Sequence, residues 1–128
     1  MKLIVTIPAY NEERSIGDVI QEIPRTIDGI DLVEVLVIND GSTDNTVEVA
    51  RKAGADHIIS HKRNLGLAKA FRDGLNAAVE LGADIIVNTD ADFQYNGTEI
   101  PNLLQPIFDG KADIVIGDRQ IDTLDHMP

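Results

Sequence analysis

Asp90 and Asp92 stand at i and i+2 directly behind the strand-like run Ile85–Asn88. Two carboxylates so close together past a buried strand repel each other and resist desolvation unless a cation joins them. The sequence has no cysteine, so any metal must be held by oxygen or imidazole. A hard divalent cation, Mg2+ or Mn2+, shared with the phosphates of a substrate suits the pair, and the amide oxygen of Gln94 offers a further ligand. A polar turn is the plainer alternative.

Other residues at strand ends carry related chemistry. In Pro8-Ala9-Tyr10-Asn11-Glu12-Glu13, Pro8 is expected to halt strand pairing, Tyr10 offers a ring face for stacking, and Glu12 can accept bonds from a sugar or base. Asn11 reads as the cap of the first helix, which would make the stretch only a polar loop. Asp40 follows an apolar run and could accept from a base N–H or a ribose hydroxyl, whereas Ser42 or Asp44 is explained as a helix cap. Arg63 and Gly66 open the third helix, where a guanidinium, a helix N-terminus and a close backbone approach suit phosphate; a loop capped by Asn64 explains them equally. Arg119 follows Gly117-Asp118 and could hold a phosphate bidentately or pair with Asp118. His57, His61 and His126 show no ligand spacing and read as structural or surface residues.

The elements that must position these residues alternate regularly. Strands are expected at Leu3–Ile7, Glu34–Ile38, His57–Ser60, Ile85–Asn88 and Ile114–Ile116; their continuous Ile/Val runs suit strands buried on both faces. One helix follows Asn11, buries Ile16, Val19, Ile20 and Ile23, and ends near Pro24. A second runs from about Asp44 to Gly54, and a third carries a stripe of Ala68, Phe71, Leu75, Ala78 and Val79 up to Gly82. Gly54-Ala55-Asp56, Gly82-Ala83-Asp84 and Gly110-Lys111-Ala112-Asp113 each lead into a strand, an echo with the spacing of one βα unit. Such alternation predicts an α/β fold, a mainly parallel sheet flanked by helices, with its ligand crevice at the carboxyl ends of the strands.

Composition narrows the function. At 128 residues, 43% of them hydrophobic, the chain suits one soluble domain, and no apolar run approaches the ~18 residues of a membrane span. Without a signal-peptide pattern after Met1, a cytoplasmic protein is expected. A net charge of −11 argues against nucleic acid as a partner, and an anionic small molecule would need a cation or helix N-termini to offset repulsion.

Together, "VTIPAYNEE" at 5–13, "VINDGSTDNT" at 37–46, "RNLGLAKAFRDG" at 63–74, "TDADFQ" at 89–94 and "IVIGDR" at 114–119 resemble family 2 glycosyltransferases along essentially the whole chain. The "DADFQ" and "GDR" segments are most similar to the dolichol- or polyprenyl-phosphate sugar transferase branch. The resemblance implies the GT-A fold, a Rossmann-like nucleotide-sugar-binding domain. It implies that Pro8, Tyr10 and Glu12 contact the nucleoside, that Asp40 recognises base or ribose, and that Asp90 with Ala91 lies against the nucleotide sugar. It also implies Asp90 and Asp92 as a DxD pair, Asp92 and Gln94 as metal ligands, and Arg119 as the arginine that handles phosphate. Asn39 departs from the family, which often has aspartate there.

The reaction so implied moves a sugar from a UDP- or GDP-sugar to an acceptor with inversion, a divalent cation steadying the diphosphate. A polyprenyl or dolichyl phosphate is already an anion and needs no deprotonation; a saccharide hydroxyl would need a general base. Only a short stretch follows Arg119. Family members continue into an acceptor-binding half and often into membrane helices. The expectation is therefore a truncated or incompletely ordered chain, a donor site without complete catalytic machinery, whose full-length form meets the cytoplasmic face of a membrane through C-terminal segments. A nucleotide-binding module without activity is the alternative. A haloacid-dehalogenase-type phosphatase, a sugar-nucleotide pyrophosphorylase and a receiver-like domain fit less well: the aspartate pair does not follow the first strand, residues 7–10 lack glycine, and arginine stands where a receiver has lysine.

Overall fold

A computed structural model describes residues 1–91, 100, 101, 104, 114–117 and 122–124. The strands are β1 (Lys2–Ala9), β2 (Leu32–Asn39), β3 (His57–Ser60), β4 (Ile85–Thr89), β5 (Ile114–Gly117) and β6 (Asp122–Leu124); the helices are α1 (Ile16–Glu22), α2 (Thr46–Ala53) and α3 (Leu67–Glu80). They form one sheet of order β3-β2-β1-β4-β5-β6. β1 to β5 are parallel, as expected, and β6, absent from the sequence reading, returns antiparallel to β5.

Helices cover both faces, which is why the strands are apolar without alternation. On one side Leu3, Val5, Ile7, Val35, Val37, Ile85 and Val87 pack against Ile16, Val19 and Ile20 of α1 and Ala50 of α2. On the other, Ile4, Leu36, Ile38 and Ile86 pack against Ala70 and Ala78 of α3.

Three local expectations are corrected. Pairing does not halt at Pro8, since the β1–β2 register continues through Pro8↔Ile38 to Ala9↔Asn39. Successive residues direct their backbone groups to opposite neighbours, and the Ala9 carbonyl accepts the Asp40 N–H at 2.8 Å on the β2 side. The nitrogen of Pro8 therefore faces the β4 side, where pairing has already ended at Thr6↔Asn88, and no ladder bond is lost. Asn11 does not cap α1, which begins five residues later behind Ser15. The stripe on α3 is also rotated. Its buried residues are Ala70, Gly74 and Ala78, while Ala68 is exposed and Val79 is 65% exposed. Small residues let the helix lie close on the sheet: a Cβ at Gly74 would fall 2.7 Å from Ile38 Cδ1.

The Gly-Ala-Asp echo has a structural cause. Gly54 (φ 108°) and Gly82 (φ 87°) turn the chain out of α2 and α3 in the left-handed region that glycine tolerates. The aspartate two residues on then clasps the neighbouring strand. Asp56 donates its N–H to the Val35 carbonyl at 2.9 Å and accepts the Val35 N–H on its carboxylate at 2.7 Å. Asp84 does the same to Lys2, at 2.8 and 2.7 Å. The third copy, at Gly110–Asp113, lies outside the described residues.

Candidate functional site

The strand order sets where a ligand can sit. From β1 the chain winds outward through β2 to β3, then returns to place β4 on the other flank of β1. The connections leaving the carboxyl ends of β1 and β4 therefore diverge, and the crevice between them is the switch point at which open α/β sheets bind ligands. The β1 side supplies exposed Tyr10 and half-buried Glu12; the β4 side supplies half-buried Asp90 and buried Ala91. Pro8 is buried at the end of β1 beneath them.

A hydrogen bond closes this crevice at its base. Ser15, just before α1, donates its hydroxyl to the Ala91 carbonyl at 2.6 Å, and its oxygen also lies 3.3 Å from Glu12 Oε2. A hydroxyl has one proton, and the shorter contact takes it. The loops after β1 and β2 interlock as well. Asn11, at φ 51°, accepts the Thr43 N–H on its side-chain oxygen at 2.8 Å and donates its own N–H to Ser42 Oγ at 2.9 Å. The Glu12 N–H donates to Thr46 Oγ1 at 2.9 Å. The N-cap of α2 is Asn45 rather than Asp44 or Ser42; the Asp44 carboxylate, one residue before it, accepts the Thr46 N–H at 2.9 Å in an Asx-type turn.

Asp40 is buried, 4% exposed, and already engaged. One carboxylate oxygen accepts the Leu65 N–H and faces His61 Nδ1, both at 2.8 Å; the other accepts the Gly66 N–H at 3.0 Å. Little acceptor capacity is left for a base or ribose. Burial alone would favour its neutral acid, but His61 and the two amides together outweigh that and hold the carboxyl below its ordinary value. The other ring nitrogen of His61 lies 2.7 Å from Asp73 of α3, whose second oxygen pairs with Lys69 at 3.1 Å. The hydrogen bond to Asp40, opposed by burial and reinforced by Asp73, raises the His61 pKa; the Asp73 carboxyl is lowered by His61 first and Lys69 second.

The loop that Asp40 holds is pressed against the turn after β2. A Cβ on Gly41 (φ 77°) would meet Arg63 C at 2.3 Å and Asn64 N at 2.4 Å, so only glycine fits. Arg63 keeps an exposed side chain over this seam. Gly66, not Asn64, caps α3, and its φ of 101° rather than any crowding demands glycine. Sequence reasoning missed Ser15, His61 and Asp73. His61 directly follows β3 at its carboxyl end, as Asp90 follows β4, and that position was the available signal.

Asp92, Gln94 and Arg119 lie outside the described residues. Among the described residues no cluster of three or more His, Asp or Glu side chains could hold a metal ion, and no helix is long and apolar enough to cross a membrane.

Comparison with known proteins extends these observations. Residues 4–125 match the model of glycosyl transferase family 2. The chain is 40% identical over 128 residues to the dolichyl-phosphate hexose transferase of Haloferax volcanii, covering 98% of this chain and 51% of that protein. It is 33% identical over 135 residues to the UDP-N-acetylglucosamine–dolichyl-phosphate N-acetylglucosaminyltransferase of Methanococcus voltae, covering 92% and 52%. It thus spans about half the length of these curated relatives. Among solved structures it resembles glucosyl-3-phosphoglycerate synthase from Mycobacterium tuberculosis, crystallised with Mn2+, UDP and glucosyl-3-phosphoglycerate, with a TM-score of 0.68 at 31% identity over 83% of this chain and 39% of that one. The α/β sheet is accordingly that of the GT-A glycosyltransferases. A switch-point crevice flanked by Tyr10, Glu12 and Asp90, on a chain matched by the family model almost end to end, makes this protein a member of glycosyl transferase family 2.

Proposed function

We propose that this chain forms the donor-binding part of an inverting, metal-dependent glycosyltransferase that moves a sugar from a UDP- or GDP-sugar to a polyprenyl or dolichyl phosphate. The observation that carries the reading is the crevice at the end of β1 and β4, where the Ser15–Ala91 hydrogen bond ties the segment bearing Asp90 to the loop bearing Tyr10 and Glu12. The printed names of the Haloferax and Methanococcus relatives support the acceptor class, and the Mn2+ and UDP of the mycobacterial structure support the donor and the cation.

In this reading Tyr10 stacks on the base, Pro8 and Glu12 border the nucleoside, and Arg63, with Gly66 allowing close approach, faces the diphosphate. Asp40 acts on the nucleotide through the loop that it holds, because its oxygens are occupied. The donor set fits a hard cation: Asp90 is a half-buried carboxylate on the rim, Asp92 and Gln94 follow it in sequence, and the chain has no thiolate to compete. Asp90, Asp92 and Gln94 would hold Mg2+ or Mn2+, which when bound neutralises diphosphate charge as the leaving group departs. Arg119 would hold phosphate of donor or acceptor. A lipid acceptor would bring the reaction to a membrane surface, and a nucleotide-sugar donor would suit its cytoplasmic face.

Binding of UDP, GDP and their sugars with and without Mn2+ tests the reading. Metal-dependent binding that Asp92→Ala and Asp90→Ala weaken is expected. Equal binding without metal, or variants that bind like the parent, would refute the assigned site.

A further inference from the structure

We infer that His61 is a positioning residue of the donor site: an imidazolium held between Asp40 and Asp73, it fixes the Asp40 carboxylate against the Leu65 and Gly66 amides and so shapes the rim that a nucleotide meets. The effect on nucleotide rests on the donor-binding reading above; the positioning itself does not.

The geometry demands the charged ring. His61 Nδ1 lies 2.8 Å from Asp40 Oδ1 and Nε2 lies 2.7 Å from Asp73 Oδ2. Ionised carboxylates only accept, and a neutral imidazole donates from one nitrogen only, so either tautomer would turn a lone pair toward a carboxylate. The cation alone satisfies both contacts, as two charge-assisted hydrogen bonds. The His61 and Asp40 side chains are 9% and 6% exposed, so solvent screens the pair weakly. The ionisable groups acting on the ring come from two elements: Asp40 at the end of β2, and Asp73 on α3 with Lys69 on its far oxygen. Both carboxyl groups are held below and the imidazole above its ordinary value, in keeping with this arrangement.

Loss of the proton removes one of the two bonds and sets a lone pair against a carboxylate. Asp40 is the more consequential partner, because its oxygens also hold the Leu65 and Gly66 amides at 2.8 and 3.0 Å. His61 acts on the α3 entry through Asp40.

The test is run on the full chain between about pH 6.5 and about pH 9, following the His61 ring and the Leu65 and Gly66 amides by NMR while titrating UDP, and GDP in parallel, with Mg2+. The two amides should shift with the midpoint of His61, and affinity should fall roughly threefold to tenfold on the alkaline side. His61→Arg, a cation that does not titrate in this range, should retain alkaline affinity and also controls for titration of the nucleotide. His61→Gln should bind weakly throughout. Amides that stay in place while His61 loses its proton would overturn the inference, and so would identical pH profiles for the parent and His61→Arg. If the amides follow His61 but neither nucleotide binds at any pH, the positioning role stands and the donor-site reading fails.

Discussion

Ser15 and Ala91, 76 positions apart, meet through a 2.6 Å hydrogen bond from the serine hydroxyl to the alanine carbonyl. The bond joins the entry of α1 to the residue between Asp90 and Asp92 in the sequence. Ser15→Ala removes this bond and leaves the segment less firmly seated. Metal-dependent UDP affinity is expected to fall roughly threefold to tenfold, with a stability loss of about 1 kcal/mol. Isothermal titration beside urea unfolding separates the two effects, and unchanged affinity would count against a positioning role for Ser15.

Gly41 is fixed by space as well as by backbone. An added Cβ would lie 2.3 Å from Arg63 C, and φ is 77°. Gly41→Ala should cost at least about 2 kcal/mol, because backbone rather than a flexible side chain must move. Hydrogen exchange should show the residue 63–66 loop loosened beyond the global change.

Gly74→Ala probes the opposite case. Here the obstacle is Ile38 Cδ1 at 2.7 Å, the end of a side chain that can turn. A loss of about 1–3 kcal/mol is expected, partly restored by Ile38→Val, which removes that methyl. Denaturant midpoints of the single and double variants supply the comparison.

Stability should fade at both ends of the pH range. Asp40, Asp44, Asp73 and Glu34 have folded values below their ordinary ones, so each contributes stability that is present above about pH 4 and lost as pH falls through the folded value. His61 has a raised value, so its contribution is full below about pH 6.5 and lost as pH climbs through the folded value. Urea midpoints should therefore decline on the alkaline side of neutrality, and less so in His61→Gln. Equal alkaline declines in both proteins would remove His61 as the cause.

Local chemistry was legible wherever a residue's type alone decides its place. Continuous Ile and Val runs marked β1 to β5 because both faces of the sheet are covered, and bulky Ile16, Val19 and Ile20 marked the inner face of α1. On α3 the same reasoning set the stripe off-centre: Ala78 and Leu75 do pack inward, but closeness to the sheet selects small residues, and Val79, a larger side chain, points outward. At the site, the acidic and aromatic residues at strand ends could be named from sequence. Their supports could not, since Ser15–Ala91, Asn11–Thr43 and Asp40–His61 are contacts between distant segments. Asn11 looked like a cap because side-chain amides serve caps and loop bridges equally well.

The two Gly-Ala-Asp clasps lie at the amino ends of the strands, away from the crevice. Each pins a neighbouring strand by both its N–H and its C=O, so slipping by one residue would break paired bonds and turn the buried side chains to the wrong face. Strand alignment is thus secured at the edge opposite the crevice. The loops at the other edge, which carry the candidate site, take no part in these clasps. The register that presents the strand ends to a ligand is therefore set from the far side of the sheet.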